Sequence, residues 1–151
     1  MPDPLFDTRT PKLALPLLFA GQAQKEVFVN EAIARLDALL FLAVEGELAA
    51  PPTNPGEGQS WLVSAAPTGA WTGHAGEIAS RQSGNWLFTT PVAGMRLLKK
   101  SSGQEIRYDS QWNAPAKPAA PSGGTTVDIE ARNAISAVIA VLVSAGLVPP
   151  T

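Results

Sequence analysis

The spacing of apolar positions changes several times along the chain. Leu13, Leu15, Leu17, Leu18 and Phe19 crowd together, punctuated by Pro11 and Pro16. Proline removes a backbone donor and disfavours helix in the residue before it, so residues 1–21 read as an extended arm lying on another surface. From Gln22 to Glu45 the period becomes helical. Phe28, Ala32, Ile33, Leu36, Leu39, Leu40 and Ala43 recur at three- and four-residue steps, with Lys25, Glu26, Glu31, Arg35 and Asp37 opposite. Gly21 is the expected N-cap and Gly46 the expected residue after the C-terminus. Val27, Val29, Phe41, Leu42 and Val44 widen the apolar arc beyond what one small sheet requires. This helix is expected to meet a second partner.

Residues 49–113 read as a small antiparallel β meander. Strands are expected at Ser60–Ser64, Gly76–Gln82, Trp86–Thr89, Met95–Lys100 and Gln104–Asp109, between turns such as Asn54-Pro55-Gly56. Each of Trp61, Trp71, Trp86 and Trp112 follows a turn, as though a large aromatic opens each returning strand. Residues 114–124 are a Pro/Gly linker. A second helix follows, with Thr125 and Asp128 as its capping pair and Gly146 as its end. No charge occurs from Asn133 to Thr151. Ala131, Ile135, Val138, Leu142 and Ala145 form a seam whose β-branched members suit trimers or higher bundles. Ala134–Val148 is shorter and more interrupted than the ~20 apolar residues of a membrane span, so none is expected. The fold class is thus α+β in four parts: arm and helix to residue 46, β domain 47–113, linker 114–124, and oligomerisation helix 125–151.

Composition narrows the classes of function. The 151 residues carry 11 basic and 13 acidic side chains, a net charge of −2 that gives no electrostatic reason to bind nucleic acid. Cysteine is absent, which removes disulfides and thiolate zinc sites. Met1-Pro2-Asp3-Pro4 has no basic n-region, so synthesis in the cytoplasm and release by lysis is the expected route.

Candidate chemistry is sparse. His74 is the only histidine and sits in a Gly-rich turn, where an exposed turn residue is expected rather than a catalytic base. Glu57, Glu77, Glu105 and Asp109 are ordinary surface acids, without the facing pair that glycoside hydrolysis needs. No phosphate-binding glycine motif occurs. No catalytic, cofactor or metal residue is assigned, and an enzyme is not expected. Arg96, Lys99, Lys100 and Arg107 read as a solvated sheet face, with an acidic glycan or a neighbouring subunit as the functional alternative. The tryptophans read mainly as core. A sugar-stacking platform of Trp71, Trp86 and Trp112 is the alternative.

Several stretches carry a resemblance. Leu13-Ala14-Leu15-Pro16-Leu17-Leu18, Ala20-Gly21-Gln22-Ala23-Gln24-Lys25-Glu26-Val27, Asn30-Glu31-Ala32 and Leu36-Asp37 open it. Pro55-Gly56-Glu57-Gly58, Trp61-Leu62-Val63, Thr68-Gly69-Ala70-Trp71-Thr72-Gly73, Gly76-Glu77-Ile78-Ala79 and Trp86-Leu87-Phe88 continue it. Over residues 11–112 the chain resembles an uncharacterised domain family of alphaproteobacterial prophages and gene transfer agents. Asp128-Ile129-Glu130-Ala131-Arg132 is similar to the helix that ends many phage fibre-type chains. Phe28-Val29 departs from the polar pair more usual in that family, which makes the helix more apolar and suits a subunit contact.

The resemblance implies a structural part of a phage-like particle, specifically the capsid head spike base of a gene transfer agent. The implied partners are further copies of the chain (trimer or pentamer), the capsid protein and a spike fibre protein. Contact with host capsular polysaccharide, or service as a tail or fibre adaptor, are the alternatives. Phe28, Leu36, Ile135, Val138 and Leu142 are the expected oligomerisation residues.

Overall fold

The computed structural model describes residues 9–21 and 25–150. The fold is α+β, with two helices and eight strands in two small sheets among the described residues. The chain divides into two compact units, one ending at Pro91 and the other beginning at Val92. That division falls inside the segment 47–113, which the sequence presents as one β domain.

In the first unit the arm is a tight loop rather than an extended strand. Thr10 N donates to Leu15 O at 2.9 Å, Ala14 N donates to Thr10 O at 3.1 Å, and Arg9 bridges Pro16. Helix α1 spans Lys25–Leu39. It stops several residues before Glu45, the expected end. Phe41 adopts a left-handed backbone with φ of 50°, the role glycine usually takes after a helix. The Lys12 ammonium donates to Leu40 O at 2.5 Å and Phe41 O at 3.1 Å, which satisfies the terminal carbonyls and lets the chain turn there.

Strands β1 (Ala43–Val44), β2 (Glu47–Leu48), β3 (Ser60–Val63), β4 (Ile78–Gln82) and β5 (Asn85–Thr89) follow, with the short 3-10 turn Gly69–Trp71 between β3 and β4. β2 runs parallel to β3, while β3, β4 and β5 pair antiparallel. The expected meander is therefore mixed at this edge. Residues opposite each other share a face, so Trp61, Ala79 and Phe88 line one side and Ser60, Ser80 and Leu87 the other. Ser83 and Gly84, with φ of 49° and 77°, make the two-residue turn that joins β4 to β5.

The second unit holds an antiparallel meander of β6 (Arg96–Lys99), β7 (Gln104–Asp109) and β8 (Gln111–Asn113), then helix α2 (Ile129–Ser144). The α2 cap is Asp128 alone, whose carboxylate accepts from Ala131 N at 2.8 Å, so the helix starts later than Thr125. It ends as expected. Gly146, at φ 69°, donates to Val143 O, and Leu147 N donates to Leu142 O, the paired bonds of a Schellman stop. Gly146 O then accepts from Glu105 N at 2.7 Å, and buried Gln104 donates to Leu147 O and Pro115 O. Leu97, Ile106, Ile139 and Val148 are buried here. Strands β1, β2 and β8 are two or three residues long, too short to carry the alternation from which a strand is predicted. Among the described residues no helix is long and apolar enough to cross a membrane.

Candidate functional site

The residues that mark the N-terminal stretch build a lock between arm and helix. Asp37, fully buried on α1, accepts from Thr10 Oγ1 at 2.7 Å and Leu13 N at 2.7 Å. It also accepts from Lys12 N at 3.1 Å and, from the sheet side, Gln82 Nε2 at 3.2 Å. Burial pushes the Asp37 carboxyl up, but these hydrogen bonds outweigh it and hold the group below the ordinary aspartate value. Two helical turns earlier, Asn30 accepts from Leu18 N at 2.8 Å and donates to Leu18 O at 3.0 Å. Asn30 and Asp37 lie on the same stripe of α1, so one face of the helix serves as a peg for the arm. The helical period places Asp37 opposite the apolar stripe, and within the Gln22–Asp37 signature it is open to docking or to packing between helix and arm. The buried role shows only once Thr10 and Gln82 are brought to it. Gln22, Ala23 and Gln24 lie outside the described residues.

The tryptophans separate into two groups. Trp61, Trp71 and Trp86 form one cluster with ring centroids 5.1–6.5 Å apart, joined by Val63, Ala79 and Phe88. Trp71 is wholly buried, its indole N–H without an acceptor, and it sits in the 3-10 turn rather than opening a strand. It is a core residue with no face open to a sugar. Trp86 is half-buried against that core, with the Arg81 guanidinium 5.4 Å from its ring centre. Trp112 lies in the second unit, edge to face with Tyr108 at 5.2 Å. Of the three residues of the sugar platform, Trp71 and Trp86 thus belong to the first unit and Trp112 to the second.

His74 is more constrained than an exposed turn residue. Its ring stacks flat on Phe88, centroids 3.5 Å apart, and Nδ1 lies 2.8 Å from Glu77 Oε2. Glu77 Oε1 accepts from Thr90 Oγ1 at 2.7 Å. Burial raises the Glu77 carboxyl, but the bonds from Thr90 and His74 and the His74 charge bring it below its usual value. The pair ties the loop before β4 to the end of β5. Among the described residues no group of three or more histidine or acidic side chains could hold a metal ion. Glu57 lies near Arg81, Glu105 pairs with Arg96, and Asp109 pairs with Arg107, so Arg96 and Arg107 sit within a mixed-charge face.

Among the described residues, exposed apolar side chains are numerous on both helices. On α1, Phe28 and Leu36 are exposed, as are Val27 and Val29, and Leu40 and Phe41 are exposed just beyond the helix. On α2, Val138 and Val141 are exposed and Ile135 about half so, whereas Leu142 turns partly inward beside buried Ile139. Of the expected seam Ala131, Ile135, Val138, Leu142 and Ala145, all but the half-buried Leu142 are exposed, and Ile139 is the buried residue of the helix.

A family model described as a protein of unknown function, DUF2793, matches residues 29–113, more than half of the chain. The chain belongs to the DUF2793 family. No curated protein matches it. The DUF2793 segment contains Asn30, Asp37 and Gln82 of the lock and all three clustered tryptophans. It runs through β8 and excludes α2. The aromatic core thus lies within the DUF2793 region, the lock ties that region to Thr10, Lys12, Leu13 and Leu18 before it, and α2 follows it.

Proposed function

We propose that this DUF2793 chain is a structural, self-associating subunit of a phage-like particle, the head spike base of a gene transfer agent capsid that anchors a host-attachment fibre. The observation that carries the proposal is the apolar surface left outward on both helices, with Phe28, Phe41, Val138 and Val141 more than half exposed. Isolated surface apolar residues are ordinary, but contiguous helical stripes of them mark a protein–protein contact. The resemblance of residues 11–112 to prophage and gene transfer agent domains gives that contact its setting. Its partners in this reading are copies of itself, the capsid protein and the spike fibre protein, at the particle surface.

The test is to label the chain with an antibody-bound gold particle and image particles released from the producing cell. Gold at the capsid surface, lost when the gene is deleted along with the spikes, supports the reading. Gold on tails would move the chain to the adaptor role, and unlabelled particles would remove it from the virion.

A further inference from the structure

We infer that the outer edge of β5 and the side of α1 beside it form a groove that takes an extended polypeptide segment from a partner, as an added strand of the first unit's sheet. The inference concerns a peptide ligand and holds whether or not the chain self-associates.

The direction of the hydrogen bonds fixes which groups of β5 are free. Strand β5 ends the sheet order β2-β3-β4-β5. On β4, Arg81 N donates to Gln59 O and Arg81 O accepts from Gly58 N, both at 2.8 Å, so the Arg81 groups point to the β3 side. Ser80 and Gln82 then turn theirs towards β5, where they stand opposite Leu87 and Asn85. Trp86 and Phe88, the alternate residues, aim their N–H and C=O groups away from the sheet. Phe88 O accepts from Arg35 Nη1 of α1 at 3.2 Å. The Trp86 N–H and C=O and the Phe88 N–H have no partner among the described residues.

Natural sheets guard such edges with charge, proline or brevity. The opposite edge is guarded in this way, since β2 is two residues long and begins with Glu47. Strand β5 has none of these devices. Asn85-Trp86-Leu87-Phe88-Thr89 carries no charge and no proline, and every residue of it keeps some exposure, whereas β3 is buried throughout. A free row of backbone donors and acceptors is matched by another extended backbone, whose main-chain bonds supply the affinity in strand addition.

The edge is also one wall of a groove. Asn85, Trp86 and Leu87 share a cavity of about 260 Å³ with Asn30, Glu31 and Ala34 of α1. That is smaller than the roughly 300–1,000 Å³ of small-molecule pockets. One residue of an antiparallel segment satisfies both the Trp86 N–H and the Trp86 C=O. Its neighbours then place side chains alternately on the two faces of the sheet. Charge narrows the choice of segment. Glu31 is the charged residue lining the cavity, and residues 1–91 hold nine of the 13 acidic but five of the 11 basic side chains. A neutral or basic segment is therefore the complementary occupant.

The test uses the full-length chain and an alternating lysine–valine octapeptide, with amide hydrogen exchange read residue by residue by NMR. In the free chain the Trp86 and Phe88 N–H groups should exchange rapidly, while that of Leu87, turned towards β4, should be slow. Saturating peptide should slow Trp86 and Phe88 by roughly tenfold or more and leave Leu87 as it was. The same peptide N-methylated at every residue keeps its side chains but loses its backbone donors, and should give no protection. Ala34→Trp narrows the groove from the helix side and should weaken binding about tenfold, with Glu31→Arg as the second variant should the first unfold. Slow exchange of the Trp86 amide in the free chain, no effect of the peptide, or equal protection by the methylated peptide would each overturn the inference. Protection of the same two amides by a neutral glucose oligomer, and not by the peptide, would assign the groove to a sugar and overturn it as well.

Discussion

The two units solve the problem of a small core differently. The first buries large aromatic surface and a polar hub: Trp61, Trp71 and Ala79 on one face of its sheet, and Asp37 with four donors on the other. The second relies on small aliphatic contacts, with Leu97, Ile106, Ile139 and Val148 buried and one side chain, Gln104, bonded to two carbonyls. Only Ile139 of α2 is buried among its 16 residues. A short helix gains most of its stability from packing an apolar face, so α2 is under-supported by its own unit. The first unit thus rests on its internal contacts, whereas α2 keeps most of its apolar surface exposed.

The largest effect should come from Trp71. Replacing it by alanine removes a fully buried ring from a three-tryptophan cluster, and about 3–5 kcal/mol of stability should be lost in the first unit. Denaturant unfolding followed by tryptophan emission measures this. A loss below about 1 kcal/mol would show the cluster to be peripheral. Asp37→Ala comes next. It leaves the Thr10 hydroxyl, two backbone N–H groups and the Gln82 amide without their acceptor, and should cost roughly 3 kcal/mol. It should also free Lys12, exposing the 9–21 loop to protease in limited proteolysis.

Acid should act on the same unit. Asp37 and Glu77 both titrate below their ordinary values in the folded chain. A depressed carboxyl contributes stability that is full above its unfolded value and is lost as pH falls through the folded one. Unfolding measured from pH 7 downward should therefore stay flat until about pH 4 and then decline. Asp37→Asn should flatten that decline, and an unchanged acid limb in this variant would contradict the hub. The smallest effect belongs to the second unit. Asp128→Ala removes the α2 cap at about 1 kcal/mol, read as helical signal lost, and an unchanged helical signal would contradict the cap.

How much of this was legible from the residues follows the same division. Helix α1, strands β3 to β7 and the Gly146 stop follow from local spacing and turn chemistry. These interactions span few residues. Trp61 and Trp71 are recognisable as core because so little else in the β segment is large. Packing of the Gln22–Asp37 stretch against the arm was open from the sequence, but the burial of Asp37 was not legible, because its polar partners Thr10 and Gln82 are 27 and 45 residues away. The burial of Ile139 and the partial burial of Leu142 were hidden because local spacing sets neither apart from exposed Val141. Phe41 in a left-handed turn could not be anticipated, since its strain is sustained by Lys12 in the arm.

In the proposed reading this chain is completed by copies of itself. The most direct measurement is the mass of the full-length protein in solution by light scattering or sedimentation over a wide concentration range. The account predicts a defined multiple of 15.8 kDa that falls to a single copy in Val138→Asp. A mass of one chain at every concentration, with the tryptophan cluster intact, would contradict it.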